Sequence, residues 1–273
     1  MQSRHLIVAA AVIMSSAACA ASAVSARPHS GEQVQISPPE VRRTEPPSVS
    51  ASADELEGRG DTLRGEKAYL DALDYYRAAL AKKPGASQLF NKAGITELLL
   101  HRFREAAKDF ERAIKYDHDY ADAHNNLGVI HYLQKKYGKA IKEYEKAIKA
   151  RNDSASFYSN LGAAYFSKKD FEKAGIYYNE ALKLDPEIFI RSSRNGVSAQ
   201  MSSPEDRAHF DYVLARLYAK IGDAEHSLLY LRRAMEEGYK GIGNVFKDAE
   251  FASLRKDGRF TELMAARPLG IPE

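Results

Sequence analysis

The chain is poor in the residues that carry most recognisable chemistry. Cys19 is its one cysteine, so an intramolecular disulfide and a cysteine-based zinc site are both excluded. Tryptophan is absent. A charge excess is missing too: the formal net charge is +3, whereas a nucleic-acid binder usually carries a marked basic excess. After the N-terminal segment no apolar run approaches the roughly 18 residues of a membrane span. The phosphate loop G-x-x-x-x-G-K-[ST], the G-x-S-x-G elbow, H-E-x-x-H and G-x-G-x-x-G do not occur. Catalysis therefore has no motif to rest on, and the expectation is a non-enzymatic chain without metal or cofactor. What remains is a composition of 44% hydrophobic and 28% charged residues, which fits a globular chain rather than a disordered one.

The first residues read as an export signal. Arg4 and His5 precede the apolar run Leu6 to Met14, and small residues fill Ser15 to Ala26. Ser16-Ala17-Ala18, Ala21-Ser22-Ala23 and Val24-Ser25-Ala26 each offer a cleavage site. Cys19 stands where a bacterial lipoprotein signal is acylated, with Ser16 in the place of the usual large aliphatic residue. Three readings stay open: a cleaved soluble chain, a chain lipidated on Cys19, and an uncleaved anchor. All three are exported, to the periplasm or cell envelope, and the last two are attached to a membrane. Residues 1–26 are thus expected to form the signal peptide and 27–52 a linker. Five of the ten prolines fall in that linker, and its Pro pairs favour an extended, semi-rigid chain.

A period of 34 organises the middle of the sequence. Gly60, Gly94, Gly128 and Gly162 stand 34 apart, as do Ala72, Ala106, Ala140 and Ala174. The same spacing links Tyr76, Phe110, Tyr144 and Tyr178, then Ala79, Ala113, Ala147 and Ala181, and finally Tyr69, Phe103, Tyr137 and Phe171. A degenerate fifth unit carries Leu214, Tyr218, Ser227, Leu231 and Ala234 in the corresponding slots. Each unit reads as two helices. In the fourth, Leu161, Ala164, Tyr165 and Lys168 step by three or four, as do Phe171, Ala174, Tyr178 and Ala181. The stepping breaks at Ser167 to Asp170, where Asp170 can cap the second helix. The small columns let the two backbones approach and the aromatic columns fill the space beside them. One such hairpin cannot bury its apolar face alone, so neighbours must stack.

This pattern resembles the tetratricopeptide repeat family, whose signature runs W-x2-L-G-x2-Y, A-x3-F, A and P. The fourth unit supplies Tyr158, Leu161, Gly162, Tyr165, Ala174, Tyr178, Ala181 and Pro186. The third supplies His124, Leu127, Gly128, His131, Ala140, Tyr144 and Ala147, with Asn152 in the proline slot. The resemblance implies an all-α fold, a right-handed superhelical solenoid of about five helical hairpins at 53–86, 87–120, 121–154, 155–188 and 208–241. Residues 242–273 are expected to form a C-terminal helical cap, two short helices split at Gly258. Residues 189–207 read as a longer loop, or as an insertion that touches a ligand.

The resemblance also implies a scaffold that binds a peptide or protein partner in a concave groove lined by the first helix of each unit. An envelope or pilus assembly lipoprotein, or an auxiliary subunit of a cell-envelope enzyme, is the alternative. Two positions before the glycine column stand Lys92, Asn126 and Asn160; one position earlier stand Asn91, Asn125 and Ser159. An amide donates and accepts at once, which suits a peptide backbone, and Asn126 and Asn160 match the residue that some family members use so. Four positions after the glycine column, Leu98, Tyr132 and Phe166 are the expected side-chain contacts. Three further features have blander readings. Asp117, His118, Asp119, Asp122 and His124 cluster at a turn where Asp caps helices, Arg59-Gly60-Asp61 overlaps the packing column, and Lys135, Lys139, Lys142, Lys146 and Lys149 form a solvated stripe or an anion-facing one.

Overall fold

The computed structural model describes residues 46–192 and 203–266. Cys19, the expected signal, residues 27–45 of the linker and the middle of the 189–207 stretch lie outside the described residues. Among those described there is no strand, and no helix is long and apolar enough to cross a membrane. Ten helices pair as five hairpins: α1 (Ala53–Gly65) with α2 (Tyr69–Lys82), α3 (Ser87–Leu99) with α4 (Phe103–Tyr116), α5 (Ala121–Leu133) with α6 (Tyr137–Ala150), and α7 (Ala155–Ser167) with α8 (Phe171–Leu184). After the short α9 (Ile188–Ser192), α10 (Pro204–Lys220) pairs with α11 (Ala224–Glu236), and α12 (Gly258–Ala266) closes the chain. Each second helix packs on the next first helix through α8, so the hairpins form a solenoid.

The hairpin interior explains the aromatic and glycine columns together. A Cβ at Gly60 would lie 2.7 Å from the Tyr76 ring, at Gly94 2.6 Å from Phe110, at Gly128 2.6 Å from Tyr144 and at Gly162 2.5 Å from Tyr178. Such approaches are too close for real side chains, so the ring occupies the volume a methyl would need. The fifth hairpin solves the same problem differently. Ala215 takes the glycine slot and Leu231 the aromatic slot, both fully buried. A smaller partner thus accompanies the larger column residue. Ser227 takes the alanine slot, and its buried hydroxyl donates to the Ala215 carbonyl at 2.8 Å.

Local signals set the ends. Ser52 and Glu55 form a reciprocal cap at α1: Glu55 N–H donates to Ser52 Oγ at 3.2 Å and Ser52 N–H donates to Glu55 Oε2 at 2.7 Å. Asp170 caps α8 as its position implies, accepting from Lys173 N–H. The turn inside each hairpin holds one residue in the left-handed region: Lys67 (φ 65°), His101 (59°), Lys135 (58°), Lys169 (63°) and, in the fifth, Gly222 (83°). Between hairpins, Arg77 of α2 reaches Asp109 of α4 with both guanidinium ends and lies 3.6 Å from Glu97 of α3. Both carboxylates are buried, and Arg77, together with Arg102 3.5 Å from Glu97 and Arg112 3.8 Å from Asp109, makes their burial tolerable.

The stretch after the fourth unit departs from the expected loop. Its first part is α9, and Ile188 and Phe189 are buried, the Phe189 ring meeting Tyr178 edge-on at 5.2 Å. Its last part already belongs to α10, which starts at Pro204 behind a Ser203 cap. The fifth hairpin therefore begins before residue 208. The C-terminal cap also differs: the segment before Gly258 forms three 3-10 turns (Ile242–Phe246, Ala249–Phe251, Leu254–Lys256) rather than a helix. Val245, Phe251, Leu254, Phe260 and Leu263 are buried, while Phe246 is 56% exposed. The 3-10 winding turns Val245 inward in its place.

The ring–glycine contact predicts a specific pattern. Gly128→Ala should cost about 1–3 kcal/mol by overpacking, and adding Tyr144→Leu should cost less than the two single changes summed. Urea denaturation of both singles and the double checks this; strict additivity would mean that the ring does not press on the column. A second expectation concerns Asp211 on α10, 4% exposed. Its burial, with the Glu237 carboxylate nearby, pushes its carboxyl up to about 7, against the opposing effect of Arg233 and Arg207. Between roughly pH 4 and pH 7 the folded chain keeps a proton there that the unfolded chain has released, so stability falls as pH rises through this window. Asp211→Asn should flatten that fall and stabilise the chain most above neutrality. Urea midpoints at acidic and alkaline pH measure it, and an unchanged difference between the two would count against the assignment.

Candidate functional site

The middle first helices approach one another directly, α3 with α5 and α5 with α7, which places them along the inner side of the stack. A row of polar bonds runs along this side, and three of them (Lys92–Glu57, Asn126–Asn91 and Asn160–Asn125) join residues one period plus one position apart. Lys92 Nζ donates to Glu57 Oε1 at 2.5 Å and to Asp61 Oδ2 at 2.6 Å, joining α3 to α1. Asn126 Nδ2 donates to Asn91 Oδ1 at 3.0 Å, joining α5 to α3, and Asn160 Nδ2 donates to Asn125 Oδ1 at 2.9 Å, joining α7 to α5. Asn125 Nδ2 in turn donates to Asn126 Oδ1 at 3.3 Å, and Asn91 Nδ2 donates to Tyr120 Oη at 3.4 Å. The result is one chain of side-chain bonds from Asn160 through Asn125, Asn126 and Asn91 to the Tyr120 hydroxyl, in which both bonds that cross between repeats are donated toward the N-terminal end.

The expected groove residues divide on this geometry. Asn126 and Asn160 are half-buried on the inner side, whereas Asn91 and Asn125 are buried and serve as their acceptors. Lys92 is engaged by two carboxylates, so it is a strut between repeats rather than a free groove cation. Tyr132 is half-buried, its hydroxyl 3.0 Å from Ser167 Oγ and its ring 5.4 Å from that of Tyr137. Phe166, expected at the groove surface, is instead a core ring: it is 2% exposed and packs against Phe171 at 5.0 Å, His209 at 5.6 Å and Phe210 at 5.9 Å. The longer α10 brings His209 and Phe210 over it. Leu98 is buried likewise.

Toward the C-terminal end the row changes character. The His209 ring lies 4.0 Å from Phe171 and 5.3 Å from Tyr239, and Tyr239 stacks on Tyr212 at 4.5 Å. Tyr212 Oη donates to Asp248 Oδ2 at 2.8 Å and Arg216 Nη2 donates to Glu250 Oε1 at 2.6 Å, tying α10 to the cap. Burial, reinforced by Lys169, pushes the His209 imidazole below its ordinary value. Tyr212 occupies the slot of Asn125 and Ser159, in register with the columns of the fifth unit.

The other motifs are absorbed by packing. His124 Nδ1 lies 2.7 Å from Glu143 Oε2 and its Nε2 lies 3.0 Å from the His118 carbonyl, so both ring nitrogens are occupied. Asp122 pairs with Arg151 at 2.5 Å. Among the described residues no group of three or more His, Cys, Asp or Glu side chains converges as metal ligands would. Asp61 of the Arg-Gly-Asp triplet accepts from Tyr76 Oη at 2.7 Å as well as from Lys92, and Gly60 lies beneath the Tyr76 ring. All five lysines of the stripe are exposed, and Lys146 pairs with Glu143 at 2.8 Å.

Tetratricopeptide repeat profiles match residues 91–155 and residues 155–188. No curated protein matches the chain. Among solved structures, MamA (41-end) from Desulfovibrio magneticus RS-1 is 18% identical, with a TM-score of 0.50 over 70% of this chain and 97% of that one. Another MamA structure is 18% identical, with a TM-score of 0.49 over 72% of this chain and 95% of that one. YrrB, described as a TPR protein with an unusual peptide-binding site, is 17% identical, with a TM-score of 0.47 over 68% of this chain and 87% of that one. At 18% identity the likeness to the Desulfovibrio magneticus MamA structure is one of fold alone.

Proposed function

Because the chain belongs to the tetratricopeptide repeat family, we propose that it is a non-enzymatic interaction scaffold whose inner face binds an extended segment of a protein partner. The observation that carries this reading is the amide row. Asn126 and Asn160 each spend one N–H on the preceding repeat, which leaves each a second N–H. The Asn160 side-chain oxygen accepts from no other side chain among the described residues. Half-buried amides fixed in register by their neighbours are suited to a peptide backbone, because their orientation is already set before a partner arrives. Tyr132, held beside them by Ser167, supplies a ring edge for a partner side chain.

Asn126→Ala with Asn160→Ala should weaken partner binding about 5- to 150-fold, since each lost hydrogen bond is worth about 0.5–1.5 kcal/mol. The same change removes two bonds between repeats, so a lower Tm is expected, and binding is to be measured well below it. Lys142→Glu with Lys146→Glu is the control on the exposed stripe and should leave binding intact. A partner captured from envelope extract by the wild-type chain, lost by the lysine variant and kept by the asparagine variant would move the site off the inner face. Export is also proposed, from the Leu6 to Met14 run and Cys19. If Cys19 is acylated, Cys19→Ala should shift the chain from a detergent-requiring to a soluble fraction. A chain that is soluble with Cys19 in place would rule the lipid out.

A further inference from the structure

Away from the amide row, a cleft of about 450 Å³ opens between the first and second hairpins, lined by Arg77, Leu80, Ala81, Pro84, Phe90, Arg112, Lys115 and Tyr116. Its composition is that of a small ligand site: a mainly apolar lining with a few convergent polar groups. The wall is a ring pair, Phe90 and Tyr116, with centroids 5.6 Å apart and planes 7° from parallel. Tyr116 is 51% exposed, so one ring of the pair remains open to a ligand. The Arg112 guanidinium stands 5.8 Å over the Phe90 ring.

Its three charged lining residues are all cations, and they differ in how far they are already neutralised. Arg77 is held by Asp109 and Glu97. Arg112 lies 3.8 Å from Asp109, a carboxylate that Arg77 already engages. Lys115 forms no ion pair among the described residues. Two exposed cations beside an open aromatic face call for an anion carried on an apolar body. The next interface lacks the ring pair. There His124 replaces Phe90 and is bonded to Glu143 and the His118 carbonyl, and Ala150 replaces Tyr116. The Phe90–Tyr116 pair therefore does not follow from the repeat pattern, which would reproduce it at the next interface.

We infer that this cleft is a second binding site, taking a carboxylate on an aromatic or aliphatic body, with Arg112 and Lys115 on the carboxylate and the Phe90–Tyr116 pair on the body. Two sources share that chemistry: a free small acid or chain terminus, and an acidic residue next to an aromatic one within a partner polypeptide.

The test titrates the full chain by calorimetry and NMR with three probes. They are N-acetyl-phenylalanine, its methyl ester, and the amidated peptide N-acetyl-Gly-Asp-Phe-Gly. The acid should bind and shift the Tyr116 ring signals, and the ester should bind about tenfold or more weakly, as loss of a charge-assisted bond implies. Arg112→Gln with Lys115→Gln should cause a similar loss for the acid, with an unchanged circular dichroism spectrum because both side chains are exposed. Asn126→Ala should leave probe binding intact, which separates this site from the inner face. Tighter binding of the acid assigns a free acid or terminus as the source, and tighter binding of the peptide an internal acidic-aromatic pair. Equal binding of acid and ester, wild-type affinity in the double variant, or no binding by either anionic probe up to its solubility limit would overturn the inference.

Discussion

Every hairpin of the first four is closed by the same contact, an aromatic ring laid on a residue without a side chain. The ring supplies a large apolar area, and the missing methyl lets the partner backbone come close enough to cover it. Neither half works alone: an alanine beneath a tyrosine overlaps the ring, and a glycine beneath a leucine leaves a void. The fifth hairpin demonstrates the coupling from the other side, since Ala215 and Leu231 have changed together. All other order in the stack rests on these closed hairpins. They are the units that then meet their neighbours.

Between hairpins the chemistry is different. Apolar packing continues, but specific register comes from polar struts: Lys92 to Glu57 and Asp61, the asparagine chain, and Arg77 to Asp109. A buried carboxylate or amide tolerates few alternative partners, so these bonds penalise any slip between repeats. The amides on the inner face thereby hold two jobs. They lock the repeats and, in the function proposed, present their remaining donors and acceptors to a partner from positions the neighbouring repeats already fix.

The fold was legible because its determinants recur. A column of Gly, Ala and aromatic residues at a fixed spacing signals close helix packing, and the helices fall where the stepping of three and four places them. The turn and the Asp170 cap were legible for the same reason. What repeats could not show is what happens once. Ile188 and Phe189 look like the start of a loop until Phe210 and Tyr178 are seen to receive the Phe189 ring. Phe166 shares its slot with the half-buried Tyr132, yet the longer α10 covers it. The amides at Asn126 and Asn160 were visible, but their partners one repeat back were not, because nothing in a single unit encodes the contact to the previous one. The Ser52–Glu55 cap carried a readable local signature that the repeat pattern overshadowed.

The turn residues have a further implication. Lys67, His101, Lys135 and Lys169 adopt a left-handed backbone that costs a side-chain-bearing residue about 1–2 kcal/mol, whereas Gly222 meets the same geometry without that penalty. Glycine's larger unfolded-state freedom would return about half of the gain. The four inner turns thus hold a modest unspent reserve of stability, released by substitutions that touch neither the core nor the amide row. Only the last hairpin has already drawn on it.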